Sequence, residues 1–132
     1  MIKMTQENRN ICINAKFIIE NRNIEEFKKL AQELCNVVEV NDADALEYQF
    51  YFSKDETRCV VFERYASSEA AIAHNNNPTI KTMLLSIFHI AQLNRLDVFG
   101  TPTEQLHHML QEFNTHIYTR SAGFTRGFIR YT

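Results

Sequence analysis

Hydrophobic and polar positions alternate from residue 11: Ile11, Ile13, Ala15 and Phe17 fall on one side, Cys12, Asn14 and Lys16 on the other. That period of two predicts a half-buried strand over residues 11–19. The period then lengthens. Ile24, Phe27, Leu30, Ala31, Leu34, Val37 and Val38 recur at helical spacing with charges between them, which predicts an amphipathic helix over about 24–38. Asn23, with Glu26 three residues on, has the pattern of a capping box at its start. Asn41, Asp42 and Asp44 mark a break. Alternation resumes over 45–53, with Leu46, Tyr48, Phe50 and Phe52 on one side. The polar turn Lys54-Asp55-Glu56 and a second β-rich run over 57–65 complete a predicted β-hairpin.

Ser67 and Ser68 offer caps for a short helix through Ala70–Ala73, which Asn75-Asn76-Asn77-Pro78 interrupts. Asn77 as cap and Pro78 at the first helical position restart a helix whose stripe is Ile80, Met83, Leu84 and Ile87. Residues 93–99 read as a strand closed by Gly100. Thr101-Pro102-Thr103-Glu104, read as proline at the first helical position plus a capping box, opens another helix carrying Leu106, Met109, Leu110 and Phe113. The remainder, 115–132, with Ile117, Tyr118, Phe124, Phe128 and Ile129, predicts one more strand.

The order is β-α-β-β-α-β followed by an extra helix and strand. It predicts an α+β, ferredoxin-like domain over 11–132, with an antiparallel sheet and its helices on one face. Residues 1–10 form a polar N-terminal segment. The uncovered sheet face needs a partner, and the same face of a second copy is the simplest one, giving a homodimeric α/β barrel. Periodicity does not decide whether the Tyr48 face of its strand lines the space between two sheets or the helix-covered core.

The 132 residues fit one domain, and the 45% hydrophobic content supplies its core. A net charge of −2 gives no footprint for nucleic acid. RNA-recognition domains share the element order, but the strand over 57–65 has no glycine and so lacks their Lys/Arg-Gly-aromatic signature. Cys12, Cys35 and Cys59 are odd in number, widely spaced and form no CxxC pair, which predicts reduced thiols. The N-terminal segment lacks the apolar core of a signal peptide, and no apolar run approaches a membrane span. A cytoplasmic protein with no membrane partner is the expectation.

Four segments, in order and spacing, carry a resemblance. They are Ala15-Lys16-Phe17, Ile24-Glu25-Glu26-Phe27-Lys28-Lys29-Leu30, Val60-Val61-Phe62-Glu63-Arg64-Tyr65, and Ser68-Glu69-Ala70-Ala71-Ile72-Ala73-His74. The chain resembles the antibiotic biosynthesis monooxygenase superfamily over residues 11–99. The strand ending Glu-Arg-Tyr, followed by a helix reading Glu-Ala-Ala-x-Ala-His, is the most specific part. The resemblance implies a dimeric α/β barrel and, as in many members, oxidation of a small aromatic or quinol by O2 without metal, flavin or other cofactor. Such chemistry asks for a dry pocket, a base for the phenolic proton and donors for the developing charge. A non-catalytic dimer binding a small apolar ligand is the alternative, and a purely structural role, with the cavity filled by side chains, is a third.

His74 is the first catalytic candidate, with a solvated histidine at a helix C-terminus as its plainer role. Glu63 shares a strand face with Cys59, Val61 and Tyr65. A glutamate there is either a base with a raised pKa or, the favoured expectation, one half of a pair with an arginine. Tyr48, Tyr65, Phe50 and Asn14 are the substrate-binding candidates. Core packing is the plainer role of Tyr48 and Tyr65, and solvation that of Asn14. Two departures from the family pattern stand out. Ala15 and Leu84 occupy the places where heme-degrading members carry asparagine and histidine, which disfavours heme. Thr79 stands near the place of a second histidine found in many quinol-oxidising members. No metal site is predicted: His107 and His108 are adjacent on a helix and point apart, and His89 and His116 have no partner at ligand spacing. Arg120, Arg126 and Arg130 read as a basic terminal strand.

Overall fold

The computed structural model describes residues 9–126. Along the chain lie β1 (Ile11–Ile19), α1 (Ile24–Asn41), β2 (Ala45–Phe52), β3 (Arg58–Tyr65), α2 (Ser68–Asn76), α3 (Pro78–Ile90), β4 (Ala91–Phe99), α4 (Glu104–Leu110) and β5 (Thr115–Tyr118). The strands are ordered β2-β3-β1-β4-β5. Every pairing is antiparallel except β4–β5. This is the ferredoxin-like arrangement with one strand added beyond β4. The terminal-strand reading of Phe128, Ile129 and Arg130 lies outside the described residues, as do residues 1–8 of the N-terminal segment.

β1 is the spine. Paired on both sides, it buries every second residue, Ile11 through Ile19, against the helices. Cross-strand partners extend that face: Ile13 sits opposite Glu63 and Val98, and Ala15 opposite Val61 and Leu96. Phe27 of α1 is fully buried, its ring meeting Phe17 at 5.6 Å, Phe50 at 6.3 Å and Phe52 at 5.8 Å in edge-on contacts. Such geometry sets the electropositive ring edge against the electron-rich face of its neighbour.

Three local expectations are corrected. The β2–β3 register slips between Ala45 and Glu47, so Leu46 is an extra residue that turns out to solvent, 52% exposed. Tyr48, Phe50 and Phe52 therefore share their inner face with Ala45, not with Leu46. The capping box of α1 does not form. A 3-10 turn over Asn21–Asn23 leads into the helix, Asn23 makes no side-chain cap, and its amide instead donates to the Ile90 carbonyl at 3.1 Å. At α4, Pro102 lies outside the helix, and Thr103 is the cap, accepting from the Leu106 amide at 3.2 Å.

The caps of α2 and α3 form as expected. Ser67 accepts from Ala70 N at 3.1 Å, and Asn77 accepts from Thr79 N at 3.0 Å and Ile80 N at 3.1 Å. Pro78 thus ends one helix and begins the next, leaving His74 in the last turns of α2. No helix among the described residues is long and apolar enough to cross a membrane.

Candidate functional site

A cavity of about 440 Å³ lies between the sheet and its own helices. Its floor is the inner sheet face, including Ala15, Phe50 and Leu96; its roof is α3, through Leu84 and Phe88. Met109 of α4 and Phe113 just beyond it close one end, so the extra C-terminal helix is a cavity wall. The cavity belongs to one protomer, which settles the question periodicity left open: the Tyr48 face of β2 is the helix-covered one.

Polar side chains interrupt this largely apolar lining: Tyr48, Glu63 and His74, together with Asn75, Asn76, Lys81 and Glu112 from α2, α3 and the segment after α4. Tyr48 and Glu63 are neighbours across the β2–β3 ladder. Both lie deep in the chain yet keep accessible surface, because that surface faces the cavity. Tyr65 lies behind them, wholly buried and outside the cavity lining, and its hydroxyl donates to Glu63 Oε1 at 2.5 Å. His74 packs its ring 5.3 Å from that of Tyr48 and 5.1 Å from that of Tyr65.

His74 is 2% exposed, not the solvated helix-end residue of the plainer reading. Its Nδ1 lies 2.8 Å from Asp42 Oδ2. A carboxylate only accepts, so Nδ1 carries the proton and Nε2 is left as the basic nitrogen. Burial lowers the imidazole pKa, and Asp42 offsets part of the fall, so the ring is neutral near pH 7. Asp42, just past the end of α1, is the site residue that sequence reasoning missed. It reads as a loop breaker, and its partner lies 32 positions away.

Among the described residues Glu63 pairs with no arginine. Arg64, on the opposite face of β3, pairs with Glu47 at 3.4 Å, and the phenol of Tyr65 is what Glu63 holds. Alternation along β3 forces this separation: residues 63 and 64 point to opposite sides of the sheet. Burial pushes the Glu63 carboxyl up to about 7 against a smaller opposing effect of the Tyr65 hydrogen bond. The Tyr48 and Tyr65 phenols are raised well above their ordinary value, chiefly by burial, and stay protonated. Among the described residues, Tyr48 Oη, Glu63 Oε2 and His74 Nε2 have no hydrogen-bond partner. A largely apolar cavity onto which three unpartnered polar groups converge is the usual form of a small-molecule site.

Asn14 is not part of it. It lies opposite Phe62 and Asp97, on the outer face of the sheet, whereas Ile13 and Ala15 flank it facing inward. Ala15 and Leu84, at the heme-degrading positions, do line the cavity but bring only carbon to it. Thr79 is exposed on α3 and does not reach the cavity. No group of three or more metal-ligating side chains occurs among the described residues.

None of the described helices covers the outer sheet face. Asp97, 6% exposed, holds Lys16 at 3.1 Å and Arg95 at 2.7 Å there. Two aromatic pairs are partly exposed: Tyr51–Phe62 at 5.2 Å and the stacked Phe99–Tyr118 at 5.4 Å.

No family model matches the sequence, and no curated protein does. Solved structures do match. An antibiotic biosynthesis monooxygenase provisionally so assigned, from Caulobacter crescentus, superposes with a TM-score of 0.66 at 22% identity, covering 73% of this chain and 92% of that one. The chain has the antibiotic biosynthesis monooxygenase fold. A counterpart of the same provisional assignment from Nitrosomonas europaea matches at TM-score 0.64 and 15% identity, over 76% of this chain and 95% of its own. MupZ from Pseudomonas fluorescens matches further, at TM-score 0.82 and 21% identity, over 94% of this chain and 100% of its own. That match takes in more of the chain than the 73% and 76% of the other two.

Proposed function

We propose that the chain is a cofactor-independent monooxygenase that oxidises a small aromatic or quinol substrate with O2 inside this cavity. The observation that carries the proposal is the setting of His74: an Asp42-oriented neutral imidazole whose free Nε2 belongs to the polar end of an apolar cavity. In this reading Nε2 takes the phenolic proton. The phenolate, electron-rich and stripped of water, passes an electron to O2, and the radical pair recombines at a ring carbon. Loss of water from the peroxide leaves the quinone, so a phenol and O2 give a quinone and H2O. Tyr48 and the protonated share of Glu63 donate to the oxygen where negative charge develops. Phe50 is apolar wall, and Tyr65 acts through Glu63 by fixing its carboxyl.

A second reading, a dimer that binds a small apolar ligand without turning it over, has a specific observation in its favour. Thr79, near the place of the family's second histidine, faces away from the cavity, so His74 stands there as a single imidazole. Oxygen uptake with a panel of quinols separates the readings. Uptake by the wild type that His74→Ala abolishes supports the oxidase. Quinols that bind without uptake leave only the binding protein, and equal rates in both proteins remove His74 from the mechanism.

The homodimer belongs to the same proposal. The outer sheet face presents two exposed aromatic pairs and none of the described helices, and the same face of a second copy covers it isologously.

A further inference from the structure

The polar end of the cavity holds two proton carriers of opposite readiness, and the oxidation above moves a proton onto only one of them. His74, with Nδ1–H committed to Asp42, offers a lone pair at Nε2. Glu63, with Oε1 taken by the Tyr65 hydroxyl, keeps Oε2 free, and the Tyr48 hydroxyl is its neighbour across the β2–β3 ladder. The rings of Tyr48 and Tyr65 lie within 5.3 Å of the imidazole, so base and acid share one small space. Asn75, Asn76, Lys81 and Glu112 also line the cavity, but most of the lining is apolar, which favours a hydrocarbon body and makes an isolated negative charge against it costly.

We propose that the cavity carries an oxygen-independent activity as well: relocation of a proton in an apolar ketone, with His74 Nε2 removing hydrogen from the carbon beside the carbonyl and Glu63, flanked by Tyr48, protonating the carbonyl oxygen. The C–H electron pair becomes the C=C bond of an enol, and the carbonyl π pair takes the Glu63 proton to form the enol O–H. His74 is left as imidazolium against the Asp42 carboxylate, and Glu63 as carboxylate against the Tyr65 hydroxyl. Return to the same carbon of the His74 proton, or of a solvent deuteron that has replaced it on the imidazolium, restores the ketone. Return to the far carbon of a β,γ-unsaturated ketone gives the conjugated isomer. In either case Glu63 recovers its proton from oxygen, so atoms and charge balance with no co-reactant. The proton states suit the roles: burial keeps the imidazole neutral and leaves a large share of Glu63 protonated near pH 7. Because the donor acts as the C–H bond breaks, no free enolate forms in the apolar space.

This activity shares the cavity and His74 with the oxidation above but does not depend on it, and 1-tetralone in D2O under argon tests it alone. Proton NMR follows loss of the hydrogens on the carbon beside the carbonyl. The wild type is expected to exchange them at least about 100-fold faster than buffer, as a positioned acid–base pair does. His74→Ala should fall to the buffer rate, and Glu63→Gln and the isosteric Tyr48→Phe should each lose tenfold or more. Wild-type exchange at the buffer rate overturns the proposal, as does exchange that survives unchanged in folded His74→Ala and Glu63→Gln. Quinol-dependent oxygen uptake on the same samples keeps the two ideas apart. Uptake without exchange removes only the proton relocation, and exchange without uptake removes only the oxidation.

Discussion

Replacing Glu63 by Gln tests the electrostatics of the cavity without reference to any substrate. The amide is nearly isosteric, and its oxygen still accepts the Tyr65 hydroxyl, so packing and that hydrogen bond persist. What disappears is the ability to ionise. In the folded chain the carboxyl is pushed from 4.5 up to about 7 by burial. The folded state therefore keeps the proton over a range where the unfolded chain has released it, and stability falls as pH rises from about 4.5 to 7. Below that window the carboxyl is protonated in both states and its favourable contribution is complete; above it that contribution is lost. The full swing is on the order of 3 kcal/mol, trimmed by whatever water reaches the cavity surface of Glu63. Urea denaturation of both proteins at pH 4 and pH 8.5 measures it. The two should differ little at pH 4, and at pH 8.5 Glu63→Gln should be the more stable by roughly 2–3 kcal/mol, a Tm gap of about 10 °C. Every other titrating group is common to both proteins and cancels. A difference that does not change with pH would refute the account of Glu63 as a desolvated carboxyl.

Four further outcomes follow from the same structure. Phe27→Ala removes a fully buried ring that touches Phe17, Phe50 and Phe52, and should cost about 3–5 kcal/mol in chemical denaturation; a loss below about 1 kcal/mol would contradict its central place. Asp42→Asn lets an amide donate to Nδ1 and so moves the imidazole proton to Nε2, which should lower ketone exchange and quinol oxidation at least about 100-fold with little change in stability; rates within a few-fold of the wild type would remove the positioning role. Ketone exchange should fall as pH rises through about 7, where Glu63 gives up its proton, and the fall should be absent in the residual rate of Glu63→Gln. Phe62→Glu places like charges opposite each other across a two-fold sheet interface, so a wild-type dimer in sedimentation velocity should become a monomer; a monomeric wild type refutes the homodimer itself.

The residues show plainly how much of this was written in the local pattern. The alternation of Ile11, Ile13, Ala15 and Phe17 and the helical recurrence from Ile24 to Val38 each follow from burying one face, and they returned the right elements in the right order. Asn77 with Pro78 acts over two residues, so it too was legible. Leu46 was misplaced because a bulge inserts one residue without changing the alternation that precedes or follows it. The cap of α1 was misread because Asn23 is engaged by Ile90, 67 positions away, a competitor no local window contains.

The site divides the same way. Short-range periodicity determined that Glu63 would sit on an apolar strand face beside Tyr65, and the resemblance pointed to His74. Sequence alone also set Asn14 on the face away from Ile13 and Ala15, since successive side chains of a strand point to opposite sides. Only the tertiary structure decided what those groups meet. It brought Asp42 to His74 across 32 positions, gave Glu63 a phenol in place of an arginine, and put α4 across the end of the cavity. Spacing within an element is fixed by backbone geometry that every chain shares, whereas a charge's partner and its solvation depend on how distant elements pack. The candidates could therefore be read from the chain, while their protonation states, and so their chemistry, exist only in the folded cavity.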